Sequence, residues 1–277
     1  MMKVGISACS NGLSRETAWE IAQLKDFLEG LGQRAVESSR IYGAENGLSG
    51  TGEEKARALM DLYEDPEIRQ IYDVSGGDLA NQVLDYLDYD RIRRSPAVFW
   101  GYSDLTTVLN AVFQMTGKPG VLYSVRNLTR GGARELQRQR FSQGEPLFAS
   151  EITMVQGNGL GGILVGGNIR CLLKLAGTPF FPELRDRILL LEACGGQVPQ
   201  MITYLSQLRS LGAFRKVRGI LLGTFTKMEA EGCRPDMVSL VREFAGPDLP
   251  IGRTGDIGHG QDARAIWIGK EIQTENP

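Results

Sequence analysis

The sequence contains a single histidine, His259, and only four cysteines, Cys9, Cys171, Cys194 and Cys233, none of them in a CxxC pair. Clusters of His and Cys hold most zinc and other transition-metal ions, so this composition argues against a metal site. Widely scattered cysteines are typical of free thiols in a reducing compartment. We therefore expect a cytoplasmic protein without disulfides.

Long apolar runs and an excess of charge are also missing. No apolar run approaches the ~18 residues that a membrane-spanning helix needs. With 31 Lys and Arg against 33 Asp and Glu, the formal net charge is only -2. Such a chain has no long-range field to attract nucleic acid or an anionic membrane, so we expect neither as a partner.

The first half of the chain alternates short apolar runs with longer helical patterns. Strands separated by helices of this length call for parallel pairing with right-handed crossovers. Residues 1–130 therefore predict an α/β domain with a doubly wound parallel sheet. The strand candidates are KVGISAC, QRAVESS, IRQIYDVS and PAVFWGY, and the helix candidates are SRETAWEIAQLKDFLEGLG, GEEKARALMDLYED, LANQVLDYLDY and DLTTVLNAVFQMTG.

The second half has a different pattern. Residues 131–158 are rich in Arg, Gln and Gly, and we interpret them as a connecting segment. Residues 159–277 then predict a smaller, β-rich α/β domain with its own mixed sheet. Its strand candidates are GGILVGGN, RILLLEA, VRGILLGTF and AIWIGKEI.

The stretch GNGLGG, residues 157–162, matches the GxGxxG pattern of dinucleotide sites. That pattern needs a helix behind it, because the helix N-terminus binds the pyrophosphate. Here the strand-like ILVGGN follows instead, so we interpret the stretch as a glycine-rich turn between strands.

The stretch AVFWGYSDLTTVL carries a candidate nucleophile, Ser103. An apolar strand ends just before it and a helix begins just after it, so the serine lies on the turn. Such a serine exposes its hydroxyl at the carboxyl edge of the sheet, beside free backbone N–H groups. Serine is also a favoured N-cap, and Asp104 suits the helix dipole, so a capping role stays open here.

Glu192 and Cys194 follow the apolar run RILLL. A carboxylate at the end of a buried strand can orient an imidazole, although it more often emerges into solvent. Cys194 is a rival nucleophile because Cys–His pairs also acylate. Nothing in the local sequence favours a thiolate, and a small buried Cys is the commoner case.

Read together, Ser103, Glu192 and His259 form a hypothesis. A serine nucleophile needs a base to take its proton, and that imidazole needs an acid to fix its tautomer. An isolated histidine is more often structural, but here both partners exist. We expect Gly258 and Gly260 to give the His259 loop the backbone freedom to reach the serine.

Four long stretches resemble the LD-carboxypeptidase family of serine peptidases with a Ser-Glu-His triad, and together they cover most of the chain. They are SGGDLANQVLDYLDYDRIRRSPAVFWGYSDLTTVLNAV, GGILVGGNIRCLLKLAGTPFFPELRDRILLLEA, VRGILLGTF and PIGRTGDIGHG. The resemblance implies a flavodoxin-like N-terminal domain, a smaller β-rich C-terminal domain, an active site between them, a homodimer, and no metal or organic cofactor.

The resemblance also implies roles for individual residues. Ser103 would be the nucleophile, His259 the general base and then acid, and Glu192 the orienting carboxylate. The backbone N–H groups of Gly77 and Asp104 would hold the oxyanion. The candidate substrate-binding residues are Gly76 and, by charge and position alone, Arg126 and Arg170.

The implied activity is release of a terminal D-amino acid, such as D-Ala, from a murein tetrapeptide during peptidoglycan recycling. Two departures near the substrate leave the substrate open: Ser75 replaces the Arg that many members carry before the paired glycines, and Tyr123-Ser124-Val125 replaces His-Gly-Pro. One alternative is a microcin-immunity-like hydrolase of peptidyl or aminoacyl nucleotides. That branch stacks a Trp on adenine, and residues 126–158 contain no Trp here. The other alternative is an inactive protein that binds peptidoglycan fragments.

Overall fold

The computed structural model describes residues 1–44, 46–149 and 151–274, and within them the strands form two six-stranded sheets. In chain order the strands are β1 Met2–Ser7, β2 Gln33–Glu37, β3 Ile68–Asp73, β4 Val98–Gly101, β5 Gly120–Leu122, β6 Thr153–Gln156, β7 Gly161–Asn168, β8 Ile188–Ala193, β9 Gly219–Phe225, β10 Ile251–Arg253, β11 Ile266–Ile268 and β12 Glu271–Gln273. The α-helices are α1 Ala18–Gly30, α2 Gly52–Glu64, α3 Tyr89–Arg94, α4 Thr106–Thr116, α5 Arg134–Gln143, α6 Ile169–Leu173, α7 Val198–Ser210, α8 Ala213–Lys216, α9 Thr226–Ala230 and α10 Met237–Ala245.

The first sheet has the strand order β11-β5-β4-β3-β1-β2. Strands β1 to β5 are parallel, and β11 adds an antiparallel edge beside β5. The order β2-β1-β3-β4-β5 is that of a flavodoxin-like doubly wound sheet, which binds ligands beyond the carboxyl ends of its strands. The predicted fold class is confirmed, and Ser103 lies at that carboxyl edge.

Local sequence explains most helices of this sheet. Helix α1 buries Ile21, Leu24 and Leu28, which lie on one face. Helix α2 begins with a capping box between Thr51 and Glu54. The predicted helix LANQVLDYLDY is different: residues 80–86 form a 3₁₀ helix, and α3 then starts separately at its own N-cap, Asp88.

The second sheet has the order β12-β7-β8-β9-β10-β6. Its four central strands are parallel, while β12 and β6 are antiparallel edges, so the sheet is mixed as predicted. The glycine-rich turn at 157–162 leads into β7 and not into a helix. This agrees with the interpretation of GNGLGG as a turn.

The chain crosses between the sheets more than once. The run AIWIGKEI divides into β11 in the first sheet and β12 in the second, and Gly269 makes the turn at φ 87°. A Cβ at Gly269 would lie 2.4 Å from the ring of Phe113. The segment 131–158 contains α5 and also β6, which joins the second sheet. The domain boundaries at 130 and 159 stay a prediction.

Helix α4, which follows Ser103, is fastened to the second sheet. The buried Asn110 side chain donates to the carbonyl of Gly166 at 2.9 Å and accepts from its N–H at 2.8 Å. One turn earlier, the Thr106 hydroxyl accepts from the N–H of Asn168 at 3.0 Å. Leu105 and Leu109 share an apolar core with Leu164 and Ile188. These contacts hold helix α4 against β7, the strand that ends at Asn168. We call the two hydrogen bonds between Asn110 and Gly166 the Asn110 clamp.

None of the described helices is both long and apolar enough to cross a lipid bilayer.

We expect Asn110→Ala to destabilise the protein, because it leaves the N–H and C=O of Gly166 without partners in a buried interface. Each unpaired group costs about 1–3 kcal/mol. The measurement is the thermal midpoint, with the exposed Asn81→Ala as the control. Equal midpoints for the two variants would contradict this role of the Asn110 clamp.

Candidate active site

Ser103 lies two residues after the end of β4 with φ 55°, a left-handed conformation that is uncommon for residues with a side chain. Such a backbone costs of order 1–3 kcal/mol and is typical of functional turns. The Ser103 hydroxyl lies 3.1 Å from Nε2 of His259. The first helical turn has Tyr102 at its N-cap and no side-chain cap, so the capping alternative for Ser103 does not describe this turn.

His259 bridges the serine and the acid. Its Nδ1 lies 2.8 Å from Oε2 of Glu192, while its Nε2 faces Ser103. The structure therefore brings the three predicted residues, which are separated by up to 156 positions, into one hydrogen-bonded line. In this line the carboxylate fixes the tautomer, and Nε2 faces the serine as an acceptor for its proton.

Glu192 is fully buried at the end of β8, and three side chains donate to it. Besides His259, Tyr102 donates its hydroxyl to Oε2 at 3.2 Å, and Asn168 donates its amide to Oε1 at 3.1 Å. Burial, and then the charge of Glu192, raise the pKa of Tyr102 well above its ordinary value, so the phenol keeps the proton that it donates. These donors offset the cost of burying the carboxylate.

The sequence analysis did not identify Tyr102 or Asn168 as site residues. Both stand beside recognised motifs: Tyr102 precedes the nucleophile candidate, and Asn168 ends GGN at the N-cap of α6. The ring of Tyr102 also packs edge-on against His259, with centroids 4.9 Å apart. These contacts orient the imidazole from two sides.

The loop that carries His259 passes very close to the side chain of Thr224. A Cβ at Gly258 would lie 1.6 Å from the hydroxyl oxygen of Thr224, which no side chain can accommodate. Neither Gly258 nor Gly260 has a positive φ. The expectation that these glycines supply unusual backbone freedom is therefore wrong, and the requirement at Gly258 is for space.

Gly76, in the Gly76-Gly77 turn, lines the same cleft. Gly77 has φ 118°, and a Cβ there would lie 2.4 Å from Cγ of Asn11. Ser75, the residue before this turn, donates both its N–H and its hydroxyl to the carboxylate of Asp73. The Ser75 hydroxyl in turn accepts from the N–H of Ser10 at 2.9 Å. Ser75 thus builds the turn and does not project a cation towards the substrate.

Asp104 has a buried carboxylate that points away from the cleft. It accepts from the Ser10 hydroxyl at 2.6 Å and from the N–H of Ala80 at 2.8 Å, and it pairs with Lys174. Lys174 also donates to the carbonyl of Asp78 at 2.9 Å. One lysine from the second half of the chain therefore ties the nucleophile turn to the Gly-Gly turn.

The cleft around the serine has a volume of about 220 Å³ and is lined by Gly76, Ser103, Ser124, Arg126, Arg130, His259 and Arg264 among others. Arg126 lies in it, but its guanidinium donates two hydrogen bonds to Glu20, at 3.0 and 2.8 Å. Arg170 is not among the lining residues. It pairs with Asp78 and donates to the carbonyl of Gly77.

Cys194 is exposed two residues beyond Glu192 and does not line this cleft. Partial burial and the charge of Glu192 raise the pKa of its thiol. A raised pKa leaves less thiolate at neutral pH, which disfavours Cys194 as a nucleophile. Among residues 1–44, 46–149 and 151–274, no three His, Cys, Asp or Glu side chains are grouped so that they could hold a metal ion.

Two family models match this chain. The LD-carboxypeptidase N-terminal domain matches residues 4–123, and the LD-carboxypeptidase C-terminal domain matches residues 161–274. The chain therefore belongs to the LD-carboxypeptidase family, as the motifs indicated. That membership makes it a carboxypeptidase-type hydrolase by family.

Individual relatives span most of both chains. A probable murein peptide carboxypeptidase of Bacillus subtilis is 30% identical over 88% of this chain and 80% of its own length. The murein tetrapeptide carboxypeptidase of Pseudomonas aeruginosa is 28% identical over 87% and 82%. The solved structure of the microcin C7 self-immunity protein MccF in complex with aspartyl sulfamoyl adenosine has a TM-score of 0.84 and 20% identity, covering 98% of this chain and 92% of that one. This last similarity shows a shared fold.

We expect a fluorophosphonate probe to label the protein on Ser103, because the hydroxyl is hydrogen-bonded to an imidazole in an open cleft. Labelling, followed by intact mass and peptide mapping, is lost in Ser103→Ala and kept in Cys194→Ala. Labelling that survives Ser103→Ala and disappears in Cys194→Ala would reverse the assignment.

We expect Gly258→Ala to abolish labelling of Ser103, since the new Cβ displaces the loop and with it His259. Gly255→Ala, in the same loop, is the matched control, because a Cβ there meets no atom within 4 Å. The measurement is the labelling rate, with circular dichroism to verify folding. Similar labelling rates for Gly258→Ala and Gly255→Ala would show that the position of the His259 loop does not affect the reactivity of Ser103.

Proposed function

We propose that the protein is a serine carboxypeptidase that hydrolyses an L,D-peptide bond of murein tetrapeptides and releases the terminal D-Ala. The observation that carries this proposal is the hydrogen-bonded line from Ser103 through His259 to the buried Glu192. The murein peptide carboxypeptidases among its relatives support the choice of substrate.

In the proposed reaction, the Ser103 oxygen attacks the scissile carbonyl while Nε2 of His259 takes the hydroxyl proton. The same nitrogen then gives that proton to the leaving amine, which departs as the free D-amino acid. A water molecule, deprotonated by His259, attacks the resulting ester and releases the shortened peptide. Glu192 remains a carboxylate throughout and stabilises the imidazolium that forms in each half.

The tetrahedral intermediate places a negative charge on the former carbonyl oxygen. We assign its stabilisation to the backbone N–H groups of Gly77 and Asp104. Asp104 lies in the first turn of a helix, where N–H groups lack intrahelical acceptors. Loss of one such donor typically costs ~2.7–4 kcal/mol of transition-state stabilisation. Lys174 supports both segments and acts as a positioning residue.

A second candidate is a microcin-immunity-like hydrolase of peptidyl or aminoacyl nucleotides, because the fold matches MccF closely. In that branch a Trp stacks on the adenine base, and the two aromatic residues that line the cleft here, Tyr102 and Tyr123, are both buried. Trp100 packs against Tyr72 and Phe148, and Trp267 stacks on Phe148, so both serve the core. Neither of these nor Trp19 lines the cleft. This arrangement favours the murein peptide.

We also propose that the enzyme is a cytoplasmic homodimer that acts in peptidoglycan recycling. The four unpaired cysteines are consistent with a reducing compartment. Sedimentation velocity of the purified protein measures the oligomeric state directly.

We expect the purified protein to release D-Ala from a UDP-linked murein tetrapeptide and to leave an aminoacyl sulfamoyl adenylate intact. Ser103→Ala lowers kcat/KM roughly 10⁴-fold or more, because the triad acts as a unit. Release of the nucleoside instead would favour the second candidate. Binding of the tetrapeptide without any turnover would favour an inactive binding protein.

We expect His259→Ala to lower kcat/KM for the tetrapeptide roughly 10⁴-fold or more, because the chain contains no other histidine that could accept the Ser103 proton. The measurement is the rate of D-Ala release by the purified variant, with circular dichroism to verify folding. Full activity in His259→Ala would contradict the assignment.

A further inference from the structure

The lining of the cleft is rich in arginine, although the chain as a whole carries a formal charge of -2. Three arginines line it, Arg126, Arg130 and Arg264, against one carboxylate, Asp73. Asp73 is only 2% exposed, and its oxygens accept from Ser7, Cys9 and Ser75. The acid therefore does not offset the arginines in the open space of the cleft.

Two of the three arginines already have carboxylate partners. Arg126 donates twice to Glu20, whose side chain is only 8% exposed. Arg264 lies 3.3 Å from a carboxylate oxygen of Asp256 and donates to the carbonyl of Pro146 at 3.3 Å. These pairs fix both guanidiniums to the protein.

Arg130 is different. Among the described residues, its guanidinium forms no ion pair, although its backbone is anchored by the N–H donated to the carbonyl of Arg126 at 3.2 Å. Desolvation and the neighbouring Arg126 charge lower the pKa of Arg130, with Glu20 opposing them. Arg130 is also exposed to solvent where it lines the cleft, so an anion that enters the cleft can reach a guanidinium that no protein carboxylate holds.

We propose that Arg130 binds the free carboxylate of the substrate's C-terminal residue, and so makes the enzyme a carboxypeptidase. This inference rests on the proposed function, because the leaving D-amino acid carries that carboxylate. A guanidinium presents paired N–H donors that match a carboxylate, and such charge-assisted bonds are strong. Arg126 is less suited to this role because Glu20 already neutralises its charge, and Arg170 is less suited because it pairs with Asp78 and does not line the cleft.

The test compares two peptides that differ only at the C-terminus: the murein tetrapeptide as free acid and the same peptide as the C-terminal amide. We expect wild type to prefer the acid and Arg130→Gln to lose that preference. KM for the acid rises about 10- to 100-fold with little change in kcat, because the carboxylate is held equally in ground and transition states. The amide is unaffected, and Arg130→Lys restores part of the preference.

Arg69→Gln is the matched control. It removes the same charge from an exposed position on β3, whose carboxyl end, and not Arg69, borders the cleft. We expect its preference for the acid to equal that of wild type. An equal loss of the acid preference in Arg69→Gln and Arg130→Gln would show that net charge alone causes the effect, and it would overturn the proposal.

Binding separates this inference from the proposed function. In a Ser103→Ala background, calorimetry measures the affinity of both peptides with Arg130 intact and with Arg130→Gln. An acid preference that depends on Arg130 supports the inference, even if wild type shows no turnover. Turnover without an acid preference, or no difference in binding, overturns it. Arg130-dependent binding of adenosine monophosphate in place of the peptide acid would also overturn it, since phosphate would then be the ligand.

Discussion

Burial of the Glu192 carboxylate is the constraint on which the rest of the site depends. A charge with no solvent exposure must find donors within the protein, and Glu192 finds one in each of three segments: Tyr102 after β4, Asn168 at the end of β7 and His259 in the loop after β10. Satisfying this one carboxylate therefore fixes the distance between the two sheets at the cleft. The Asn110 clamp on Gly166 holds the same distance from the side of the nucleophile helix.

Much of this arrangement was predictable because local patterns are strong here. Alternating strands and helices predicted the doubly wound sheet, and strand-end polar residues identified Ser103 and Glu192. The partners of these residues were not predictable in the same way. Tyr102 and Asn168 donate to a carboxylate that is remote in sequence, and only the fold sets their distances from it. The division of AIWIGKEI between two sheets is likewise a tertiary result, since both halves have the same local pattern.

The choice of arginines shows more sharply that a sequence does not reveal a residue's partners. Arg126 and Arg170 were chosen by charge and position, but a protein carboxylate that pairs with a guanidinium neutralises the charge that would attract a substrate. Glu20 is 106 residues from Arg126, and Asp78 is 92 residues from Arg170. Sequence spacing carries no information about such pairs. The departures at Ser75 and at Tyr123 to Val125 make this important, because the proposed substrate binding relies on groups outside the family motifs.

The central claim is that Ser103 becomes acylated by the substrate. Rapid-quench intact mass spectrometry of the enzyme with a slowly deacylated ester of the tripeptide tests it most directly. The account predicts an added mass equal to the acyl group on the peptide that contains Ser103, appearing within the first turnover and absent in His259→Ala. An adduct on the peptide that contains Cys194, or product formed with no adduct on any residue, would contradict it.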